Sequence, residues 1–495
     1  MKKSTKKLWA LGLSAAMAFS VTGCGNNGDN NNTTTTPAQT TANNNETTTA
    51  ANQDETTTQE EEKYDFGGQT VRVWGNGFDQ LLKEDEDLKY AEAKAKIEEK
   101  YNIVLEPITL DGYDGTNETQ LLLSSVASGE PAADIVVLNV GSFLGCVMNN
   151  LLLDITEYKD EYKVGSAYLD AMTWNGKCYG ISYDDVGSCW VMVYDRDYLK
   201  QIGMEKTPTE MFMEGKWDYE NFKSYLADMK SKLPEGVYPI GAYPFHWATM
   251  AGAANGYPTL DSNGHLAYKD EPFIEAIQLY RDLQTTGLAA PAKPVVKDDG
   301  STGYQFAYRY DDESIVLARA EQWEFGYISY DFGIVPYPWG SNVTCDGDYK
   351  TLSDNYKVAF TYWGGISVLD AAVQRTGIPG NILTKIAQDY QELINDKSWM
   401  HDAYEKEQNG EKDVIFSASP GAAGSFTTQE DIEINDWMHS RFEYDWGWGA
   451  DSAELMSAWD CFRDIYGPGN DIRATLESYY NEAAAKMKDA GLSLN

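Results

Sequence analysis

Residues 118–138 read ETQLLLSSVASGEPAADIVVL. The first half has the composition of a helix that Gly129 ends, because glycine tolerates the left-handed backbone of a helix C-terminus. Asp134–Leu138 (DIVVL) is a short, apolar run, typical of a parallel strand covered on both faces. The stretch therefore predicts a helix followed by a buried strand, which is the repeating unit of an α/β fold.

The residues before this stretch show the same alternation. Thr70–Trp74 (TVRVW) alternates between apolar and polar residues and is predicted to be a strand. Tyr90–Tyr101 carries helix formers with apolar residues at helical spacing. Ile103–Ile108 is predicted to be extended, and Pro107 restricts it to an edge or an end of the sheet. The order β-α-β-α-β again indicates an α/β fold.

Farther along the chain, local signals predict further helices and one turn. Asp218 is expected to cap a helix, with Trp217 packing against Phe222. Asp261–Gly264 (DSNG) is a hairpin turn signal. Three amphipathic helices are predicted at Pro272–Thr286, which Gly287 closes, at Ile382–Ile394 and at Ile472–Met487.

Length and charge limit the classes of function. The 495 residues exceed what one hydrophobic core supports, so two or more lobes are expected. With 39 basic and 77 acidic residues, the net charge of −38 argues against nucleic-acid binding. An anionic membrane surface is disfavoured too, unless the chain carries a lipid anchor. The 14 tryptophans and 33 tyrosines form an aromatic surplus that a binding surface would explain.

The first 63 residues are predicted to comprise a signal peptide and a tether. Residues 1–23 have the basic start and the short apolar run of a signal peptide. Val21-Thr22-Gly23-Cys24 resembles a bacterial lipobox, in which the cysteine is lipidated, although Thr22 departs from the usual Ala or Ser. Residues 24–63 are rich in Thr, Asn, Gln and Glu and are predicted to be a disordered tether.

The sequence lacks the common motifs of enzymes and metal sites. It has no HExxH, GxSxG or GxxxxGK[ST] motif, and no cysteine pair has CxxC spacing, so no cofactor or metal is expected. Cys178 and Cys189 are left open as a disulfide pair or as isolated core residues. Glycoside hydrolysis also stays open, because it needs only two carboxylates, and Asp184-Asp185 is one of many acidic pairs.

Several weak motifs follow one another in a characteristic order. They are Leu121–Leu138, Asn150–Ile155 (NLLLDI), Trp174–Gly180 (WNGKCYG), Val193–Asp197 (VYDRD), Val316–Trp323 and Gly333–Pro338 (GIVPYP). This order resembles that of the extracellular solute-binding lipoproteins of ABC importers, family 1, the maltodextrin-binding type. Asp195 replaces the Asn of the family pattern, and Val316–Trp323 lacks its Gly.

The resemblance implies an α/β, two-lobed, periplasmic-binding-protein-like (type II) fold with interleaved lobes and a hinged cleft. The implied N-terminal lobe is 64–186 plus 362–395, and the C-terminal lobe is 190–357 plus 405–495. Such a protein, expected to be a monomer without catalytic activity, captures a carbohydrate and passes it to ABC-importer permease subunits. Cys24 would anchor it on the outside of the cell membrane.

The resemblance also implies a set of ligand-binding positions, of which Trp323 matches the family's sugar-stacking tryptophan most directly. They are Trp74, Asn76, Asn139, Ser142, Asp184, Asp185, Ser188, Tyr243, His246, Trp247, Trp323, Glu324, Trp363 and Trp459. Each has a plain structural alternative: core packing for the aromatic residues, turns or caps for the short polar ones, and solvated surface for the acids. Trp446 and Trp448 (DWGWG) are left open as loop aromatics or cleft lids.

Two other functions stay open. A protein of the same fold could bind peptides or other polar solutes, or report to a sensor kinase instead of an importer. A surface glycoside hydrolase would place aromatic rings and a carboxylate pair around a sugar in a similar way.

Overall fold

The computed structural model describes residues 63–75, 88–113, 117–182, 190–296, 302–360, 365–395, 404–406, 408–410, 425–466, 469–492 and 494. Its strands are β1 (Gln69–Gly75), β2 (Ile103–Pro107), β3 (Ile135–Leu138), β4 (Thr173–Trp174), β5 (Lys177–Cys178), β6 (Ile181–Ser182), β7 (Trp190–Asp195), β8 (Tyr238–Ile240), β9 (Lys293–Val296), β10 (Thr302–Gln305), β11 (Ile315–Glu321), β12 (Phe332–Val335), β13 (Val358–Phe360), β14 (Gly365–Val368) and β15 (Phe442–Tyr444).

The helices connect and cover these strands. They are α1 (Leu88–Tyr101), α2 (Glu118–Ala127), α3 (Val140–Met148), α4 (Ser166–Asp170), α5 (Arg196–Gln201), α6 (Pro208–Met213), α7 (Tyr219–Lys232), α8 (Pro244–Ala254), α9 (Glu271–Thr285), α10 (Asp370–Thr376), α11 (Gly380–Asn395), α12 (Gln429–His439), α13 (Gly447–Ser452), α14 (Ala458–Ile465) and α15 (Ile472–Asp489). In the described part of the chain, none of the helices has the length and apolar character needed to cross a bilayer.

The first sheet has five strands in the order β2-β1-β3-β14-β6. β1 runs parallel to β2 and to β3, and the four residues of β3 are all buried. The predicted βαβαβ start is therefore confirmed, with β2 at the edge that Pro107 required. β14 enters antiparallel between β3 and β6, so a strand from late in the chain completes the sheet.

The carboxylate of Asp134, which has no exposed surface, fixes this late strand in place. Its oxygens accept hydrogen bonds from the Arg72 backbone N–H (2.7 Å) and from Nε of Arg375 (2.6 Å), which lies in α10 directly after β14. The backbone carbonyl of Asp134 accepts the N–H of Leu369. One buried ion pair thus joins β1, β3 and the end of β14.

The second sheet has four strands in the order β12-β7-β11-β8. β7 is antiparallel to both β11 and β12, whereas β8 is parallel to β11. α8 and α9 lie between β8 and β11 along the chain and pack against each other, and every residue of α8 is buried. A mainly apolar helix such as α8 is stable only when other elements cover it all round.

The predicted helix signals are confirmed where the structure describes them. Asp218 caps α7 by accepting the N–H groups of Glu220 and Asn221, and the Trp217 and Phe222 rings lie 5.0 Å apart. Gly287, with φ of 74°, follows α9 at the predicted end of the helix. The hairpin predicted at Asp261–Gly264 is only a tight turn between two single bridge residues, Leu260 and Leu266.

Helix α13 packs directly on α3, next to the first sheet. A Cβ added to Gly141 would lie 2.9 Å from Cβ of Ser452, and one added to Gly449 would lie 3.1 Å from the Val140 carbonyl oxygen. Glycine at both positions lets the two helices approach closely, and a Cβ at either position would crowd the facing helix. Trp446, directly before α13, is fully buried against Phe143 and Trp174, so it is a core residue and neither a loop aromatic nor a lid.

The cysteines on the described part of the chain do not pair. Cys146, Cys178 and Cys461 are buried free thiols, and Cys345 is a half-buried free thiol. Burial raises the pKa of the Cys146 thiol to about 12, which keeps it protonated and unreactive. Cys178 is therefore an isolated core residue, while Cys189 lies outside the described residues.

The Asp134–Arg375 pair makes a testable prediction. Arg375→Ala leaves a fully buried carboxylate without its cation, so the free energy of unfolding should fall by about 3 kcal/mol in urea denaturation. Arg473→Ala is the matched control, because it removes an arginine from an exposed pair with Glu271 and should cause no measurable change. Equal losses in the two variants would contradict this role for Asp134.

Candidate functional site

Three strand ends of the second sheet meet at one edge. β8 and β11 are parallel and both finish there, and Trp190, at the start of β7, lies opposite Glu321, at the end of β11. The chain continues from β8 into Tyr243 and α8, which carries His246. In open α/β sheets, ligands bind outside the carboxyl ends of the strands, so this edge is the candidate site.

Aromatic rings cover this edge in two layers. We define the aromatic cluster as Trp190, Tyr243, Phe245, His246, Tyr308 and Trp459. Trp190, Phe245 and His246 are buried and form the lower layer, with the Trp190 and His246 rings 4.2 Å apart. Tyr243, Tyr308 and Trp459 are half-buried and lie above them. The cluster therefore combines three buried rings with three rings that keep some exposed surface.

Trp459 is the best supported of the half-buried rings. Phe245 stacks on it with a centroid distance of 4.3 Å and an angle of 6° between the planes. Tyr243 contacts it at 5.3 Å and His246 contacts it edge-on at 5.9 Å. Phe245 covers one face of the indole, so a ligand could stack only on the opposite face.

His246 introduces a polar atom into the lower layer. Its side chain is 7 % exposed, and its Nδ1 has no hydrogen-bond partner. Burial, with a further contribution from the Arg319 guanidinium, lowers the pKa of His246 well below its usual range. The imidazole is therefore neutral at physiological pH, with one nitrogen as a donor and the other as an acceptor.

A buried ion network stands beside the cluster. Arg319 pairs with Glu324 (Nη1 to Oε2, 2.5 Å) and with Glu321 (Nη2 to Oε1, 3.1 Å). Glu321 also accepts the Nε1–H of Trp190, and the guanidinium of Arg319 lies 5.8 Å from the Trp190 ring. Glu321 thus holds the indole of Trp190 at its N–H edge, and Arg319 interacts with its ring, so the network fixes the orientation of the indole.

Glu324 closes the turn that follows β11. Residues Gln322–Tyr327 form a short helix that Glu321 caps, and the side chains of Glu321 and Glu324 each accept the backbone N–H of the other residue. Burial raises the pKa of Glu324, although the Arg319 guanidinium opposes this shift. The predicted site residue Glu324 is therefore 3 % exposed and engaged in capping, and it borders the cluster rather than facing solvent.

The corresponding edge of the first sheet holds three more predicted residues. Trp74, in β1, is half-buried and contacts Tyr113 edge-on at 5.2 Å. Asn139 caps α3 by accepting the N–H of Ser142, and both side chains donate to the buried carboxylate of Glu118. Asn139 and Ser142 therefore build the start of α3, where the strand ends of β1 and β3 meet.

The other predicted positions are a core residue, a residue in a turn and five residues that the structure does not describe. Trp247 has no exposed surface, stacks on Tyr280 and donates its Nε1–H to the Ala276 carbonyl, so it supports α8 from the core. The backbone of Trp323 lies in the turn after β11. Asn76, Asp184, Asp185, Ser188 and Trp363 lie outside the described residues.

Sequence reasoning missed Trp190, Phe245, Tyr308 and Arg319. Trp190 and Arg319 belong to antiparallel neighbours that are more than one hundred residues apart, and no local pattern links them. A usable signal did exist for Phe245, because it directly precedes His246 in an aromatic run (YPFHW, residues 243–247).

The described residues offer little support for other sites. They contain no group of three or more His, Cys, Asp or Glu side chains that could hold a metal ion. A surface cavity of about 740 Å³ lies between α7, α9 and residues 469–473. It is lined by exposed ion pairs such as Glu271–Arg473 and by no residue of the aromatic cluster.

The chain is similar to one known protein family. The family model described as bacterial extracellular solute-binding protein matches residues 92–371. No curated protein sequence matches the chain significantly.

Three solved structures illustrate the likeness of fold. They are the galacto-N-biose/lacto-N-biose I-binding protein of an ABC transporter from Bifidobacterium longum (14 % identity, 87 % of this chain and 100 % of that chain, TM-score 0.53), the cyclic α-maltosyl-1,6-maltose binding protein from Arthrobacter globiformis (14 %, 86 % and 100 %, 0.56) and UgpB from Mycobacterium tuberculosis in complex with glycerophosphocholine (13 %, 86 % and 100 %, 0.51). At these identities the likeness establishes a common fold, the two-lobed α/β fold of solute-binding proteins.

Glu118, beneath Asn139 and Ser142, makes the stability of the fold depend on pH. Burial raises its pKa from 4.5 to about 7, and the two hydrogen bonds oppose the shift. Because the folded pKa exceeds the unfolded one, its stabilisation is complete below about pH 4.5 and is lost as the pH rises through about 7. Glu118→Gln keeps an acceptor oxygen but cannot ionise.

We therefore expect Glu118→Gln to gain stability relative to wild type, by up to about 3 kcal/mol, between about pH 5 and about pH 8. The measurement is urea unfolding of both proteins at about pH 5 and at about pH 8. The other carboxylates are common to both proteins and cancel in the comparison. A difference that does not change with pH would show that Glu118 is not ionising in this range.

Proposed function

The chain belongs to the family of bacterial extracellular solute-binding proteins, and we propose that it captures a carbohydrate and delivers it to the permease of an ABC importer. The observation that carries the proposal is the aromatic cluster at the carboxyl edge of the second sheet. Sugar rings have apolar faces that stack on aromatic side chains and a rim of hydroxyls that needs polar partners. Trp459 supplies a supported face, and the half-buried Tyr243 and Tyr308 supply hydroxyl groups in the same cluster. An oligosaccharide would use several of these rings at once.

We propose that the ligand lies between two lobes. The first comprises 64–186 plus 362–395 and the second comprises 190–357 plus 405–495. In support, every strand of the first sheet comes from residues 69–182 or 365–368, and every strand of the second comes from residues 190–335. Trp74 would then meet the aromatic cluster across the cleft, and Asn139 and Ser142 would lie where α13 of the second lobe packs on α3. Trp323, Asn76, Asp184, Asp185, Ser188 and Trp363 complete the proposed set.

The proposed function requires movement and no bond chemistry. A ligand that contacts both lobes stabilises the closed state, and the permease would recognise that state. Two acidic side chains beside the cluster are occupied by an ion pair. Both Glu321 and Glu324 pair with Arg319, whereas a hydrolase needs one carboxylic acid and one free carboxylate beside the scissile bond.

We propose further that the protein acts as a monomer tethered outside the cell membrane. The lipobox cysteine Cys24 would carry the lipid, and residues 24–63 would be the tether. Two acyl chains suffice for stable attachment, and a polar tether of this length leaves the globular part free to move.

Ligand binding is tested by thermal unfolding of residues 64–495 against maltose, raffinose, lacto-N-biose and longer plant and host oligosaccharides. A ligand at about 100 times its Kd adds about 2.7 kcal/mol of stability. The bound sugar should be recovered intact, because no bond is broken. Cleaved sugar would favour the hydrolase, and no shift with any glycan would favour another class of solute.

Trp459→Ala should weaken binding of the sugar found in this way by at least about ten-fold, because it removes the supported stacking face. Calorimetric titration measures the change in Kd. Tyr480→Ala is the matched control, since Tyr480 is an aromatic residue of α15 that contacts Lys269 and lies outside the cluster. If both variants keep the wild-type Kd, the ligand does not stack on Trp459.

The anchor is tested separately in the intact chain. Cys24→Ala should move the protein from the membrane fraction to the medium while leaving the sugar affinity unchanged. Fractionation with immunodetection measures the distribution. Retention of the variant on the membrane would contradict lipidation at Cys24.

A further inference from the structure

Trp459, the best supported half-buried ring of the aromatic cluster, is held through its backbone by a neighbouring helix. We infer that Asp451, in α13, is a positioning residue that fixes Trp459 and makes the placement of this ring depend on α3 as well as on α8. This role rests on the proposed function, because Trp459 is the ring on which a ligand would stack. Asp451 acts through Trp459 and needs no contact with the ligand.

The start of α14 needs a hydrogen-bond acceptor from outside the helix. Trp459 is the second residue of α14, so its backbone N–H lies in the first turn, where the N–H groups have no partner within the helix. Ser457, directly before α14, makes no capping hydrogen bond with its side chain. Its hydroxyl donates instead to Oε1 of Glu482 in α15, at 3.3 Å. The residue in the usual capping position therefore leaves the first turn of α14 open.

Asp451 supplies the missing acceptor from the preceding helix. Its Oδ1 accepts the N–H of Trp459 at 3.2 Å, and its carboxylate also accepts the N–H of Ala458. Burial raises the pKa of Asp451 to about 6, and these two hydrogen bonds oppose the shift. The carboxylate is therefore ionised at physiological pH, and a charged acceptor forms the stronger hydrogen bonds. Asp451 thus caps α14 from a position eight residues before Trp459.

The turn between α13 and α14 is compact. At the end of α13, the N–H of Ala453 donates to the Gly449 carbonyl and the N–H of Leu455 donates to the Ala450 carbonyl. Glu454, between them, has a φ of 59°, in the left-handed region that residues other than glycine seldom adopt. The side chain of Leu455 is buried. Because the turn is closed and anchored in this way, a displacement of α13 would be passed to the start of α14.

α13 in turn lies on α3, which follows β3 of the first sheet. The closest approach of the two helices is between Gly141 and Ser452, where a Cβ on the glycine would lie 2.9 Å from Cβ of the serine. Ser452 directly follows Asp451 in the sequence. The residue that caps α14 is therefore next to the contact with α3, and the backbone of Trp459 is held from the side of the first sheet.

The ring of Trp459 is held from the side of the second sheet. Phe245 stacks on the indole at a centroid distance of 4.3 Å, and it belongs to α8, which follows β8. Trp459 thus has two supports, Asp451 at its backbone and Phe245 at its ring. A displacement of α3 relative to α8 must change one of these two contacts. The stacking ring would therefore respond to the movement of the lobes that the proposed function requires.

The first test follows Trp459 directly and needs no ligand. The protein is labelled with fluorotryptophan, and the fluorine NMR resonance of Trp459 is the one that Trp459→Phe removes. Asp451→Ala should shift or broaden this resonance, whereas Asp451→Asn keeps Oδ1 as an acceptor and should leave it closer to its wild-type position. An unchanged Trp459 resonance in Asp451→Ala would overturn the inference.

Asp218→Ala is the matched control, because Asp218 likewise accepts two backbone N–H groups, at the start of α7 and outside the aromatic cluster. It should lower the urea midpoint, as Asp451→Ala does, without moving the Trp459 resonance. If Asp218→Ala moves the resonance as far as Asp451→Ala does, the effect is one of general stability and the positioning role fails.

Two glycines of α3 test the link to the first sheet and leave the cap of α14 intact. A Cβ at Gly141 would crowd Ser452 of α13, and a Cβ at Gly145 would crowd Thr119 of α2, with a closest distance of 2.9 Å in both cases. Gly141→Ala should therefore move the Trp459 resonance, and Gly145→Ala should leave it in place. Equal behaviour of the two variants would show that α3 is not coupled to the ring, including when Asp451→Ala does not fold.

Binding measurements separate this inference from the carbohydrate proposal. With maltose and lacto-N-biose as probes, Asp451→Ala should raise the Kd of the sugar that binds by at least about five-fold, and Asp451→Asn should raise it less. A wild-type Kd in Asp451→Ala would overturn the positioning role. If neither sugar binds the wild-type protein and the Trp459 resonance still responds as described, the carbohydrate proposal loses support, and the positioning of Trp459 by Asp451 stands.

Discussion

A single buried carboxylate, that of Asp134, fixes the arrangement on which the first sheet depends. It binds the backbone of β1 and the guanidinium of Arg375, while its own carbonyl accepts the N–H of Leu369. β14 is thereby held between β3 and β6. The ends of β1, β3 and β6 and the start of β14 then share one edge, so four chain segments begin or end at the same place.

The second sheet supports the binding surface in a different way. The aromatic cluster lies at the carboxyl end of this sheet. In its buried layer, Trp190 is held by a hydrogen bond from its Nε1–H to Glu321 and by the guanidinium of Arg319 near its ring. Rigid support of this kind lowers the entropy that must be lost when a ligand is bound. It also requires a buried ion network, which is costly unless each partner is satisfied. Arg319, Glu321 and Glu324 thus hold Trp190 in place.

Local sequence signals predicted most of the fold, since helices and buried strands depend on neighbours along the chain. The cap at Asp218, the edge position of Ile103–Pro107 and the βαβαβ order are examples. The candidate site was only partly predictable. His246 and Trp459 came from the family resemblance, but Trp190 and Arg319 matter because β7 and β11 pair across more than one hundred residues. Likewise, Trp446 is buried by distant partners that its DWGWG context does not indicate.

The late insertion of β14 has a consequence for the order of events during synthesis. Until residue 368 has been made, β3 and β6 lack the strand that joins them, and the apolar edge of β3 has no partner on that side. The first sheet therefore stays incomplete until residue 368 of the 495 has been made, whereas every strand of the second sheet has been made by residue 335. Long-range pairing of this kind also slows folding, because the closure of a large loop precedes the gain from the contact.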